Sequence, residues 1–353
     1  MRRPTRIVQA ARRSKVPERS ALVATPSASN SQATAGPSHG PESDLPHGWY
    51  CVATSDELAA GDVRAVRYFG RELVLYRTAA GTPVLADAFC PHLGAHLGHG
   101  GRVEGELLRC PFHGFCFNTH GACESTPYPG SKPPPAAWLG QLPVDEVHGL
   151  VLAWYHPEGA PPTWTVQSRP VDGWSALSTE ILELESHPQE TCENGVDFGH
   201  FSEVHGFRSA EIAKPVETDG PRLRIGYRVE QLHRLPLMGE IGIEVEFDIT
   251  LHGLGHSAVE TRIPRYGLEI RYFVLSTPID LGRVEMRLAA RVRRLRWPGA
   301  TRLVQRGALR GIVNEVLQDS VIWSRKAYLE RPVLAGGDGP IPAYRRWCRQ
   351  FYG

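Results

Sequence analysis

Four residues in the first half of the chain have the types and spacing to hold a redox metal centre. Cys90-Pro-His92 and Cys110-Pro-Phe-His113 are two Cys/His pairs separated by a 17-residue insert. Each pair is short, and an insert of that length can form a hairpin, so two opposed loops can close on one centre. Thiolates prefer ferric iron and neutral imidazoles stabilise ferrous iron. With both cysteines on one iron and both histidines on the other, the second iron becomes the home of an added electron. Zinc is the competing occupant of two Cys and two His. A Cys-x-His pair joined to Cys-x2-His is unusual for zinc, however, and the glycine-rich loops HLGAHLGHGG and HGF suit close approach of backbone to sulfides. His96 and His99 break the spacing and read as loop residues. Cys116 and Cys123 lack matching pairs and read as ordinary small buried residues.

A second constellation lies in QETCENGVDFGHFSEVHGF, Gln189 to Phe207, which offers Asn194, Asp197, His200 and His205. Two histidines and one carboxylate on one face of an iron leave three positions open for water, oxygen and substrate, the arrangement of non-haem Fe(II) oxygenases. Residues five apart on an ideal helix are about 140° out of phase. His200 and His205 can therefore share a metal only if the helix widens or ends between them. Asp197, three residues before His200, lies on the same side, where its carboxylate can accept the other N–H of the histidine. Taken alone, the cluster also reads as structural. Phe198, Phe201 and Val204 flank the histidines and are candidates for an apolar substrate pocket, with core packing an equal reading.

These residues must be positioned by two kinds of scaffold. From Gly48 to about Pro162, short apolar runs such as WYCVA, LVLYRT and GLVLAWY are broken by Gly and Pro, the pattern of a small antiparallel β domain. Pro127 to Trp138 is too proline-rich for helix or central strand and reads as an extended surface excursion. After a Pro/Gly-rich break at Glu158 to Thr163, a helix is expected over Glu190 to His205. Long strands follow in LRIGYRVEQL, IGIEVEFDITLHG, HSAVETRI, YGLEIRYFVLST and GRVEMRLAARVRRL. Leu309 to Tyr328 reads as an amphipathic helix that buries Ile312, Val313, Val316, Leu317, Val321 and Trp323 on that sheet. The expected organisation is a disordered tail over 1–46, a first domain over 47–162 and a second, α+β domain over 163–353.

Composition narrows the function classes. The 353 residues carry 39 basic and 38 acidic side chains, so no global field suggests nucleic acid or a membrane surface. Seven cysteines, an odd number without framework spacing, argue for a reducing compartment rather than a secreted disulfide scaffold. No run approaches the roughly 18 apolar residues of a membrane span. A cytoplasmic protein is expected, with an organelle as the minor alternative, since residues 1–40 are Arg- and Ser-rich and poor in acids.

The segment Cys90 to His113 resembles a Rieske iron–sulfur motif, C-x-H-x17-C-x2-H, and N-x2-D-x2-H-x4-H from Asn194 to His205 resembles the iron-binding motif of Rieske oxygenase α subunits. CPHLGAHLGHGG, ENGVDFGHFSEVHG and the tail GDGPIPAYRRWCRQFY are similar to 3-ketosteroid hydroxylase and cholesterol desaturase-like members. The resemblance spans about Leu45 to the end. It implies an all-β Rieske [2Fe-2S] domain, then a helix-grip-like catalytic domain with an antiparallel sheet and a C-terminal helix. It further implies a mononuclear iron whose third ligand is a late aspartate, Asp319, with Glu315 one turn earlier as competitor. High-potential Rieske proteins carry a disulfide and hydroxyl donors where this chain has Ala95 and Phe112, and Phe115 and Phe117. Fewer donors to the sulfurs mean a lower potential.

The implied activity is oxidation of a small hydrophobic substrate by O2, with electrons from NAD(P)H through a flavin reductase or ferredoxin. The reaction is monooxygenation or desaturation of a steroid-like, polycyclic or aromatic compound. An oxidative demethylase, or an electron carrier without oxygenase activity, are the alternatives. The resemblance also implies a head-to-tail homotrimer, in which Asp197 links the cluster histidine His113 of one subunit to His200 of the next.

Overall fold

The computed structural model describes residues 45–235 and 239–352, with the side chains of 232–240 outside the description. The expected tail over 1–46 lies outside that range apart from Leu45 and Pro46. Leu45 is buried in the first core, and the Pro46 carbonyl accepts a hydrogen bond from the Tyr50 hydroxyl at 2.7 Å.

Residues 48–155 build three small antiparallel sheets. Their strands are β1 (Gly48–Thr54), β2 (Val63–Tyr68), β3 (Arg71–Arg77), β4 (Pro83–Asp87), β5 (Arg102–Glu104) and β6 (Leu107–Arg109). The remainder are β7 (Cys116–Phe117), β8 (Cys123–Ser125), β9 (Gln141–Leu142), β10 (Val144–Val147) and β11 (Leu150–Tyr155). The sheet orders are β1-β11-β10, β2-β3-β4-β9 and β5-β6-β7-β8. The β10–β11 hairpin turns on His148 and Gly149, with φ of 60° and 80°, the left-handed pair that a type I′ turn requires. The β5-β6-β7-β8 sheet adjoins the two loops that carry Cys90 and His92, before β5, and Cys110 and His113, between β6 and β7.

The second unit is one seven-stranded antiparallel sheet and four helices. β12 (Ser178–Glu185), α1 (Pro188–Glu193), α2 (His200–Glu203) and β13 (Ser209–Asp219) lead into β14 (Arg222–Leu235) and β15 (Gly239–His252). β16 (His256–Ile263), β17 (Leu268–Asp280), β18 (Arg283–Val292), α3 (Pro298–Trp323) and α4 (Ile341–Cys348) complete it. The sheet order is β12-β18-β17-β16-β15-β14-β13. The register places Ile225, Ile249, Val259, Tyr272 and Ala290 in one row across five strands. Residues opposite one another share a face, so this row defines the side on which α1, α2, α3 and α4 pack. On the other side Ala258, Phe273, Leu275 and Ala289 meet Trp49, Cys51, Leu150 and Leu152 of the first unit.

That inter-unit seam also contains charge. Arg287 is buried, its guanidinium 2.5 Å from Glu57 and 2.9 Å from Glu285, while the Tyr68 hydroxyl donates to Glu285 at 2.7 Å. Such a group is tolerated away from water because each charge has a partner of opposite sign.

Three elements differ from expectation. The helix expected over Glu190 to His205 is broken: α1 ends at Glu193, residues 194–199 form a turn and a short irregular link, and α2 is one turn long. Gly195 and Gly199 fall in the break, where mid-helix glycine is unfavourable. The long C-terminal helix begins eleven residues earlier than expected, at Pro298, a residue suited to a first helical turn. It also ends earlier, at Trp323, and leaves Leu317 and Val321 exposed rather than packed. The two edge strands, β12 and β13, were not foreseen, because an edge carries charge on its solvent side and so loses the apolar signature of an inner strand.

Candidate functional site

The two metal-binding loops of the first unit repeat one backbone design. Cys90 N–H donates to the Ala95 carbonyl at 2.9 Å and Gly94 N–H to the Cys90 carbonyl at 2.9 Å. In the second loop Cys110 N–H donates to Phe115 at 2.8 Å and Gly114 N–H to Cys110 at 3.1 Å. Gly94 and Gly114 close these turns at φ of +73° and +64°, and a Cβ on Gly114 would collide with the Arg109 guanidinium at 2.7 Å. The cysteines lie at the buried base of the loops and the histidines at their half-exposed tips. The rings of His92 and His113 have centroids 4.7 Å apart, and Phe115 stacks on His92 at 4.4 Å. Leu93 and Phe112 stand exposed beside the histidines.

This donor set fits a two-iron cluster. Burial first, with Cys110 close by, pushes the Cys90 thiol up to about 11. A pair of buried thiols is therefore costly to ionise unless cations sit between them, and metal binding there releases protons. All seven cysteines are free. His96 lies in the loop and accepts the Gly98 N–H at 3.1 Å through Nδ1, apart from the Cys/His quartet.

In the second unit, the donor atoms of His200, His205 and Asp319 lie within 4.8 Å of one another. The break after α2 brings this about. His200 opens that single turn and His205 follows its end, so the phase difference of a continuous helix does not apply. Asp319 comes from the buried stripe of α3. His205 Nε2 is 3.5 Å from Asp319 Oδ1. An ion about 2.1 Å from each donor would draw them to about 3 Å apart, which small ring rotations supply.

Outer hydrogen bonds orient all three. His200 Nδ1–H donates to the backbone carbonyl of Asp197 at 2.6 Å, and His205 Nδ1–H to Gln318 Oε1 at 3.0 Å. Both Nε2 lone pairs are thereby left for a metal. Asn194 Nδ2 donates to Asp319 Oδ2 at 2.6 Å, leaving Oδ1 facing the histidines. Burial raises the pKa of Asp319, opposed by His205 and His200, so an uncompensated carboxylate is unfavourable there and a cation relieves it. Burial also opposes charge on His200, but Asp197 outweighs it and the net shift is upward.

Several expectations need correction. The Asp197 carboxylate was expected to hold the His200 N–H; the backbone carbonyl of the same residue does so instead, and the carboxylate Oδ2 is 3.7 Å away. The turn after α1 points that carbonyl at the ring, and the carboxylate stays 39% exposed. Of the three expected pocket residues, Phe201 alone lines the cavity over the metal site. Phe198 stacks instead on Tyr227 at 6.1 Å, and Val204 caps α2, because the broken helix turns both away. Gln318 escaped the sequence reading, although it immediately precedes Asp319.

The cavity beside the three donors has a volume of about 110 Å³. Phe201, Phe207, Phe247, Val259 and Tyr272 form much of its wall. Glu315, one turn before Asp319, also faces it; burial, with Asp319 nearby, pushes its carboxyl up to about 7. It is not in the donor cluster.

Residues 48–144 match the Rieske [2Fe-2S] domain, and residues 153–352 match the 3-ketosteroid 9alpha-hydroxylase C-terminal domain. Cholesterol 7-desaturase of Caenorhabditis elegans is 29% identical over 341 residues, covering 87% of this chain and 77% of that one. The 3-ketosteroid-9-alpha-monooxygenase oxygenase component of Rhodococcus rhodochrous is 27% identical over 321 residues, covering 86% and 83%. Among solved structures, Pseudomonas putida CBB5 NdmA with caffeine superposes with a TM-score of 0.66 at 21% identity, over 85% of this chain and 89% of that one. Dicamba monooxygenase bound to dicamba gives 0.65 at 17%, over 86% and 96%. These last two show the shared fold. With a Rieske domain ahead of a matched catalytic domain, the chain belongs to the 3-ketosteroid 9alpha-hydroxylase family and is a Rieske non-haem iron oxygenase.

Proposed function

We propose that the enzyme oxidises a steroid-like, fused-ring apolar substrate by hydroxylation or desaturation, at an Fe(II) held by His200, His205 and Asp319. The observation that carries this reading is the three-donor cluster at the base of an aromatic-walled cavity. The family's sterol-acting members support the substrate class. When bound, the iron activates O2 for attack on a C–H bond, using electrons relayed through the [2Fe-2S] cluster. Cys90 and Cys110 would hold one cluster iron, and His92 and His113 the other.

The protein's own contribution is orientation and exclusion of water. Asp197, through its carbonyl, and Gln318 fix the two imidazoles with Nε2 inward, and Asn194 restrains Asp319 to one free oxygen. Phe201, Phe207 and Val259 seat apolar substrate and keep bulk water from the donors. Electrons would come from NAD(P)H by way of a flavin reductase, with or without a ferredoxin, docking near the exposed Leu93 and Phe112. A homotrimer would let the half-exposed Asp197 carboxylate meet the partner subunit's His113 and carry both proton and electron coupling to His200.

Anaerobic purification with iron analysis, then oxygen uptake against steroid and aromatic panels, tests this. The expected result is about three irons per chain, two in the cluster and one mononuclear, with uptake driven by steroids. Two irons per chain with no uptake would reduce the protein to an electron carrier.

A further inference from the structure

Beyond the iron-site cavity lies a second one of about 340 Å³ between α3 and β14 to β17. Phe247, Tyr272, Ile312 and Glu315 line both, so the two are neighbours with a shared wall. On α3 this second cavity is bordered by Val304, Gly307, Ala308 and Gly311. A Cβ added at Gly307 or Gly311 would meet nothing within 4 Å. An interior helical glycine is unfavourable relative to alanine, and here both leave open space rather than close packing.

Glu315 is the acidic side chain common to the two cavities. Among the described residues it makes no hydrogen bond or ion pair, unlike Asp319 one turn away, which is bound by Asn194. Glu315 is half-buried, and its side chain borders both cavities. An enclosed carboxyl without a partner is unfavourable, and an isosteric apolar residue would pack this wall better. A solvated surface glutamate has no such cost, but this one faces inward. The four-residue offset puts it about 6 Å along α3 from the iron ligand.

We propose that Glu315 is a specificity-determining residue, accepting a hydrogen bond from a hydroxyl of a fused-ring alcohol about one helical turn from the carbon oxidised, with the apolar remainder of the molecule in the second cavity. This deepens the substrate reading above and rests on it. A carboxyl oxygen accepts in either protonation state, so the contact selects a hydroxyl over a bare ring carbon at that point.

The test uses the cluster- and Fe(II)-loaded full chain under anaerobic conditions. Binding of cholesterol and of cholest-5-ene, the same molecule without its hydroxyl, is measured by equilibrium dialysis in a cyclodextrin carrier. The native protein should favour the alcohol by about 10–100-fold, the range for a hydrogen bond to a charged acceptor. Glu315→Leu should bring the ratio to near one, and Glu315→Gln, which keeps a carbonyl acceptor, should restore most of it. Gly311→Leu should weaken both probes at least tenfold and leave their ratio unchanged. Iron content should match the native protein in every variant. A preference that survives Glu315→Leu, or native binding of both probes without preference, would overturn the role of Glu315 and leave the polycyclic reading standing. Binding of neither probe, with no uptake on the steroid panel, would remove both.

Discussion

Asn194, Asp197 and Gln318 ligate nothing by the geometry, yet each holds a donor in place. Asp197 divides its work differently from what spacing implies: its backbone orients His200, and its carboxylate is half-exposed. Asp197→Asn is therefore expected to leave iron content unchanged and to lower turnover by about 10–100-fold, the usual effect of disturbing a metal's outer partners. Iron analysis beside steady-state oxygen uptake checks this, and native turnover in the variant would remove the bridging role. Gln318→Ala should act in the other direction. It frees the His205 ring to rotate, so apparent Fe(II) affinity should fall by about tenfold with the cluster spectrum intact, as read by metal titration. The Cys/His quartet and the His200/His205 pair were legible because metal-binding residue types at fixed spacing are rare by chance. Gln318 was not, since an amide on a helix has no residue-type signal until the fold brings a histidine to it.

At the scale of elements, the site depends on one face of one sheet. Met286, Leu288 and Ala290 of β18 are fully buried against Ile312, Val316 and Trp323 of α3, the helix that carries Asp319. Leu288→Ala should lower stability by about 2–5 kcal/mol through the cavity it leaves, and chemical denaturation monitored by far-ultraviolet circular dichroism measures it. The inner strands were readable from alternation such as GIEVEFDI, where apolar residues recur at every second position and two of them, Val245 and Ile249, are buried. The broken helix was harder. A run containing Phe, Val and Cys at mixed spacing satisfies a helical pattern as well as a turn, and tertiary packing of Val196 and Phe201 into the α4-side core decides between them.

Across the whole molecule, the seam between units buries three histidines. His148 on the β10–β11 turn faces His252 and His256 of the β15–β16 hairpin, with Arg169, Arg271 and Arg291 around them. Burial first, then these arginines, holds His148 down at about 4. Burial and neighbouring cations hold His252 at about 3, and burial with the other two histidines holds His256 well below the usual imidazole range. Their folded pKa values lie below the unfolded value of about 6.5, so the unfolded chain binds more protons in between. The stability they contribute is fully present above pH 6.5 and is lost as pH falls toward 4, by up to about 1.4 kcal/mol per pH unit for each histidine. A urea midpoint that falls steeply from pH 7 to pH 5, and a shallower fall in His252→Phe, is the expected outcome.

The sequence by itself determined the chemistry: which side chains can bind iron, that there are two metal-binding constellations, and that β structure carries one and an α+β unit the other. Those features are local, set by residue type, short spacing and periodicity. Only the tertiary structure decided which aspartate joins the two histidines, which groups orient them, where the cavities beside them run and how the two units lock. The Asp197 carbonyl is only three residues from His200, but the others depend on contacts between residues more than a hundred positions apart, such as Asn194 with Asp319 and Glu57 with Arg287, and sheet register rather than chain distance sets them.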